Sequence, residues 1–376
     1  MKLENIRLYI GYYIIFIQMF SSIKILKILL LLFILFEIIL NLNTIIYYKV
    51  NKTRKTDILI LIFMIIVICT NININILKLL YNIFILIYLK NIFFIKLKIN
   101  EKIKIKKFYF FILKINIILV FFQYFFKMYN ITYIFPWQSN DLIRSMGLFS
   151  EPSHLAFYIL GILFFSNVTI KYLCLIFPIL ILIKSFVGYI VMLLLLFDFI
   201  KTKYKLKSIY VLSLITLFIF FIKFDYFLTR YERIKKEKNI SLVVRVFKGP
   251  RVYKKLLFKE QILGIGIDNN LKNTLYTEKT NFENTKGYLE SYNYYSGIFK
   301  ELIEFGMIGF FILQILYFKL FNRNLYVFFI FEILRLGISL NIRSTSFYFI
   351  LLLYNCKILY VKDKKYEIKT FKKLYL

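Results

Sequence analysis

ILKILLLLFILFEIILNLNTIIYYKVNKTRKTDILILIFMIIVICTNINI, residues 25–74, decides the fold class. A long apolar block gives way at 49–56 to a short segment carrying Lys49, Lys52, Arg54 and Lys55, and a second apolar block follows. A helix needs about 20 apolar residues to cross a hydrocarbon core of about 30 Å, and both blocks meet that length. The basic break between them is the pattern of a cytoplasmic connection between two membrane helices.

The same alternation runs outward in both directions. Apolar blocks at roughly 6–21, 25–48, 57–74, 76–96, 108–129, 152–170, 172–184, 186–200, 207–224, 298–318, 325–340 and 344–361 predict about twelve membrane helices. Lys184, Ser185 and Gly188 form a polar break between the seventh and eighth, which as one helix would exceed a comfortable span. The composition agrees: 60% of the 376 residues are hydrophobic, more than a soluble domain with a polar surface carries. Mean hydropathy is +0.70. The expected fold is therefore all-α, a polytopic membrane protein forming a single membrane domain over 1–376.

The net charge of +32 would point to nucleic acid in a soluble protein. Here Lys and Arg fall mostly between apolar blocks, where they set topology. The abundance of Ile, Lys, Asn, Phe and Tyr also matches AT-rich codons. No nucleic-acid partner is expected; the lipid bilayer is the first partner. Cys69, Cys174 and Cys356 all lie inside apolar blocks with no metal or redox spacing. The first block leads straight into another, so it reads as a retained helix and not a cleaved signal peptide.

With twelve helices, the basic loops 49–56, 97–107 and 201–207 and the tail from Lys362 fall on the side of the N-terminus. The opposite short segments, near 71–75 and 130–140, carry no Lys or Arg. Both termini are then cytoplasmic. Two external segments stand out. One, at about 130–151, holds Pro136, Trp137, Arg144 and Glu151; the other, at about 225–297, is the longest and is basic and polar. Packing needs only short connections, so long loops are where function concentrates.

RSMGLFSEPSHLAFYILGILFF, Arg144–Phe165, is the most informative stretch for chemistry. Pro152 suits a first helical turn, and Ser150 suits the N-cap. A plain helix start accounts for those two residues. It does not account for Arg144, Glu151 and His154, the only histidine in the chain, gathering at one membrane surface.

This stretch resembles the Wzy-type polymerases of O-antigen and capsule repeat units, through Arg144, Gly147, Glu151, Pro152, Ser153 and Ala156. The resemblance continues in SLVVRVFKGPRVYKKLLFKEQILGIGIDNN through Ser241, Arg245, Gly264 and Gly266. It ends in NYYSGIFKELIEFGMIGFF through Asn293, Glu304, Gly306 and Gly309. The three segments keep the family's order and cover roughly 140–310. One departure is plain: ligases and some polymerases of this superfamily place a histidine before the last segment, where this chain has Tyr292, Asn293 and Tyr294.

The resemblance implies a metal-independent, cofactor-free enzyme similar to glycosyltransferases of the C class, in the plasma membrane. It would move a glycan from one undecaprenyl pyrophosphate onto the sugar of another at the outer face, beside a flippase and a chain-length regulator. A pyrophosphate leaving group calls for fixed positive charge, and the planar guanidinium pairs with phosphate oxygens through two hydrogen bonds. Arg144 and Arg245 are the expected substrate-binding residues, with Arg251 in support and Arg343 at the start of the last helix as a further candidate. The acceptor hydroxyl must lose a proton, and Glu151 and His154, three apart on one helical face, are the candidate catalytic bases.

Gly264 and Gly266 have no strand–helix unit around them, so they read as a loop turn and not a nucleotide site. Gly306 and Gly309 read as close-packing positions, and Glu304 has no assigned role. Glu37, Lys114, Lys184, Glu332 and Arg335 fall inside predicted helices, where each charge costs about 2.5–3.5 kcal/mol at mid-bilayer. Glu332 and Arg335, three apart, are placed to pair. Two alternatives stand beside the polymerase: an O-antigen ligase, which shares the chemistry but not the acceptor, and a polysaccharide flippase, which predicts short loops and a charged central path.

Overall fold

The computed structural model describes residues 3–19, 24–40, 55–70, 76–129, 145–149, 152–165, 170–183, 185–204, 249–266, 296–337, 340, 344 and 346–356. These residues form helices and their connecting turns, with no strand among them. Leu79–Lys96, Ile99–Phe126 and Gly297–Leu320 are long and apolar enough to cross a membrane. Ile6–Ile17, Ile28–Ile39, Tyr172–Ile183, Val187–Ile200 and Ser346–Cys356 are shorter apolar helices. The expected span at 207–224 lies outside the described residues, as does most of both external segments.

The chain divides into two compact units. The first comprises Met1–Ile45, Tyr88–Phe218 and Tyr348–Leu376. Its described helices are α1 (Leu3–Ile17), α2 (Lys24–Leu40), α5 (Ile99–Met128), α6 (Pro152–Leu160), α7 (Ile170–Ile183) and α8 (Phe186–Tyr204). The second comprises Ile46–Ile87 and Ile219–Phe347. It holds α3 (Lys55–Thr70), most of α4 (Ile76–Tyr88), α9 (Gly249–Lys255), α10 (Phe258–Leu263), α11 (Gly297–Leu320) and α12 (Leu325–Gly337). The last apolar helix, α13, is Ser346–Cys356, most of it in the first unit.

Several boundaries differ from the sequence expectation. The basic segment 97–107 is mostly helix: α5 begins at Ile99 and runs unbroken to Met128. Lysine is a good helix former. Glu101 also accepts the Lys98 backbone N–H at 2.6 Å, which caps the start. The break at Ser185 is where the sequence placed it, and the Ser185 hydroxyl accepts the Gly188 N–H at 3.2 Å to open α8. After α4 the helix widens to a π turn at Leu89–Phe93 before a last turn at Phe94–Lys96.

In the first unit, α1 packs on α2 and α5. A buried ion pair joins Arg7 Nε to Glu37 Oε1 at 2.8 Å. Arg7 also donates to the Lys96 carbonyl at 2.9 Å, and the Tyr88 hydroxyl donates to the other Glu37 oxygen. Glu37, which stands alone among apolar residues in the sequence, is thus matched by partners from distant positions. An aromatic core lies beneath α6. Tyr109 stacks on Tyr158 at 4.9 Å, and Tyr158 stacks on Phe349 at 5.1 Å.

Candidate functional site

The described part of the Arg144–Phe165 stretch is built on two amides of α5. Asn116 and Gln123 are seven apart, two turns of one helix face, and they are 0% and 2% exposed. Gln123 Oε1 accepts the N–H groups of Met146 and Gly147, both at 2.9 Å, and its Nε2 donates to the Gly147 carbonyl at 2.8 Å. Asn116 Oδ1 accepts the Leu148 N–H at 2.9 Å while its Nδ2 donates to the Ile112 carbonyl at 2.9 Å. A non-helical turn thus has its backbone satisfied by two buried side-chain amides, as polar groups shut away from water demand.

This arrangement explains Gly147. Its φ is +61°, a region that side chains disfavour, and a Cβ there would press on the Asn116 side chain at 2.5 Å from Oδ1. Ala156 has a similar reason. It is fully buried on α6, and a Cβ added at Gly188 of α8 would lie 3.8 Å from its own. Small residues of this kind let membrane helices approach closely. The Tyr109 hydroxyl donates to the Tyr158 carbonyl at 2.8 Å, beside the turn at Gly161 that ends α6.

His154 lies half-buried in the first turn of α6, and Pro152 occupies the first helical position as expected. Arg251 falls within α9. Arg144, Glu151, Arg245 and Arg343 lie outside the described residues, as does the expected N-cap Ser150.

In the second unit the structure brings together two segments that are about 40 residues apart in sequence. Helix α11 is interrupted at Gly306, with φ 63° and ψ −174°. A continuous helix would commit the carbonyls of Ile303 and Glu304 to residues 307 and 308. Instead, Ile303 accepts the Ile265 N–H at 3.0 Å and Glu304 accepts the Gly266 N–H at 3.1 Å. Gly264 and Gly266 therefore form a backbone strap across a broken helix, which is more than a loop turn. Glu304, buried at 0%, sits at the break. Phe305 packs edge-on against Phe63 of α3, ring centres 5.2 Å apart.

The same helix carries a buried charged cluster. Arg335 of α12 donates through one terminal nitrogen to both oxygens of Glu332, at 2.6 and 2.8 Å, and through the other to Glu301. The Tyr317 hydroxyl donates to the remaining Glu301 oxygen at 2.5 Å. Gln314 fits with its amide nitrogen 2.8 Å from Glu332 Oε1 and its oxygen 2.8 Å from Arg335. The guanidinium lies over the rings of Tyr317, Phe331 and Phe310 at 4.9, 5.5 and 5.9 Å. The Glu332–Arg335 pair is legible from spacing. Glu301, Gln314 and Tyr317 are not, because their partner lies on another helix. Asn116 and Gln123 did leave a signal: two amides at heptad spacing inside an apolar helix.

Among the described residues no group of three or more His, Cys, Asp and Glu is placed to hold a metal. The described residues are helical throughout, with three helices long and apolar enough to cross a membrane, a fold compatible with an α-helical membrane protein. Comparison of the chain with protein-family models, curated proteins and solved structures finds no match.

Proposed function

We propose that the protein polymerises undecaprenyl-pyrophosphate-linked oligosaccharide repeat units into a surface polysaccharide at the outer face of the bacterial plasma membrane. It would do so as a glycosyltransferase similar to the C class, with about twelve spans and both termini cytoplasmic. The observation that carries this reading is the amide clamp on Met146–Leu148. Two buried amides of α5 fix the turn that lies, in sequence, between Arg144 and the helix beginning at Pro152. Support also comes from the Gly264–Gly306 strap, which joins the second and third segments of the resemblance backbone to backbone.

In this reading Arg144 and Arg245 hold the diphosphate of the donor, with Arg251 and Arg343 in support. Glu151 or His154 takes the proton of the acceptor hydroxyl as it attacks the anomeric carbon. The diphosphate leaves on the polyprenol, its charge met by guanidinium groups already in place. The test is an assay of purified protein in liposomes with a synthetic lipid-linked repeat unit. A ladder of multiples is expected; a lipid-linked substrate recovered unchanged, with none elongated, would refute the proposal.

The interruption of α11 favours a transporter as the second reading, because broken membrane helices line many transport sites. Against that, the carbonyls released at the break are occupied by Ile265 and Gly266 of the same chain, so they are not free to coordinate a cargo. Flipping of a fluorescent lipid-linked sugar across the same liposomes, without a ladder, would favour the transporter.

A further inference from the structure

The corner between α9 and α10 has an unusual division of labour. Phe258 is 78% exposed, the most exposed large apolar side chain among the described residues, and its neighbour Leu257 is 64% exposed. Lys254, Lys255 and Lys259 surround them, all exposed. Exposed apolar residues on a slack loop would mean little. This corner is not slack. Gln261 donates to the carbonyls of Lys254 and Leu256 at 3.3 and 3.0 Å, and its own carbonyl accepts the Tyr253 hydroxyl at 3.1 Å. Glu260, the one acid in the segment, turns back to accept the Leu257 N–H at 3.0 Å.

Much of the backbone around the tip is thus satisfied from within, while two apolar side chains and three cations are exposed. Backbone groups satisfied internally are what a segment needs in order to enter an apolar layer. Basic residues beside apolar ones are what an anionic interface attracts. The corner is also fastened to α11, a helix long and apolar enough to cross a membrane. Ile265 and Gly266, just after α10, bond to Ile303 and Glu304, which lie about 10 Å along the axis from the start of the bilayer-crossing helix α11.

We propose that the Tyr253–Gln261 corner seats in the bilayer surface, with Leu257 and Phe258 in the headgroup layer and Lys254, Lys255 and Lys259 on the phosphates of anionic phospholipids. This holds independently of the polymerase reading. It places residues 253–261 at the depth where a lipid-linked substrate would present its headgroup.

The test uses the full chain in nanodiscs of phosphatidylcholine, with and without phosphatidylglycerol and free of any polyprenyl lipid. A Phe258→Cys variant, with Cys69, Cys174 and Cys356 replaced by alanine, carries an environment-sensitive fluorophore. Lipids bearing a shallow nitroxide should quench it at least about twofold more than aqueous iodide does, and phosphatidylglycerol should widen the gap. Replacing Lys254, Lys255 and Lys259 by glutamine should lift the corner, with a loss of about fivefold in the seated-to-lifted ratio per lysine. Quenching by iodide alone would overturn the proposal. So would protection from both quenchers, which would mean that residues 267–295 or a second copy cover the corner. If the cysteine-free background does not fold, Phe258→Trp in the otherwise unaltered chain gives the same comparison against the parent's single tryptophan.

Discussion

Gly264 and Gly306 meet backbone to backbone, each with φ positive and ψ near 180°. The angles are 84° and 165° at Gly264, and 63° and −174° at Gly306. Only glycine adopts that region readily. A Cβ on Gly264 would run into the Glu304 carbonyl and the Gly306 nitrogen; one on Gly306 would run into the Ile262 carbonyl and the Gly264 nitrogen. Neither obstacle is a side chain that can swing aside. Gly264→Ala and Gly306→Ala should each destabilise by more than about 2 kcal/mol, the sum of backbone strain and a clash that only main-chain movement relieves. Unfolding in mixed detergent micelles measures this. Because the two residues share one contact, the double variant should cost much less than the sum of the singles.

The α5 amides give a prediction that separates positioning from chemistry. Gln123→Ala removes three hydrogen bonds to the 146–147 turn, and Asn116→Ala leaves the Leu148 N–H without its acceptor. Each should cost about 1–3 kcal/mol. Both should abolish the glycan ladder while the protein still elutes as a folded species in size-exclusion chromatography. A full-length ladder from Gln123→Ala would show that the turn is structural only.

Arg335 pairs with two carboxylates at once, the fully buried Glu301 and the half-buried Glu332. Arg335→Met should therefore cost about 3–5 kcal/mol, because Glu301 and Glu332 are left charged without their cation. Adding Glu301→Gln and Glu332→Gln should recover most of that loss. If Arg335→Met alone unfolds at the wild-type midpoint, the cluster contributes nothing to stability.

The proposed chemistry rests on residues whose roles are tested directly by rate. Arg144→Ala and Arg245→Ala should each lower elongation by about a hundredfold, the usual effect of removing one group that meets developing charge. Arg144→Lys should recover only part, since an ammonium lacks the planar fork. Glu151→Gln should lower the rate by about a hundredfold or more if it is the base. Full activity in Glu151→Gln would leave His154 as the candidate, with His154→Gln as the next variant to assay.

The helical character was legible because apolar runs separated by lysines have few other solutions in lipid. The division at Ser185 was legible for the same reason, since polar residues mark it. The extent of α5 was not. Lysine-rich residues 99–107 read as a loop only if charge is equated with loop, whereas lysine is compatible with a helix whose end stands in water. The interruption at Gly306 was hidden because a glycine inside an apolar run usually marks close packing. Its true role depends on Gly264, about 40 residues away, and pattern alone does not pair them. Asn116 and Gln123 were missed: the two amides stand seven apart in an apolar run, but their partners are backbone groups, which sequence does not mark.

The Arg335 cluster also constrains how the chain enters the bilayer during synthesis. Helix α12 alone would carry Arg335 and Glu332 into lipid, and the first part of α11 alone would carry Glu301, each charge costing about 2.5–3.5 kcal/mol at mid-bilayer. The two helices are joined by only the turn Phe321–Asn324, in which Asn322 and Arg323 both take positive φ. A link that short lets both arms leave the translocon as a preassembled hairpin with its guanidinium already shared. Glycosylation mapping should then find α12 inserting efficiently behind α11, and poorly behind a neutral helix lacking Glu301.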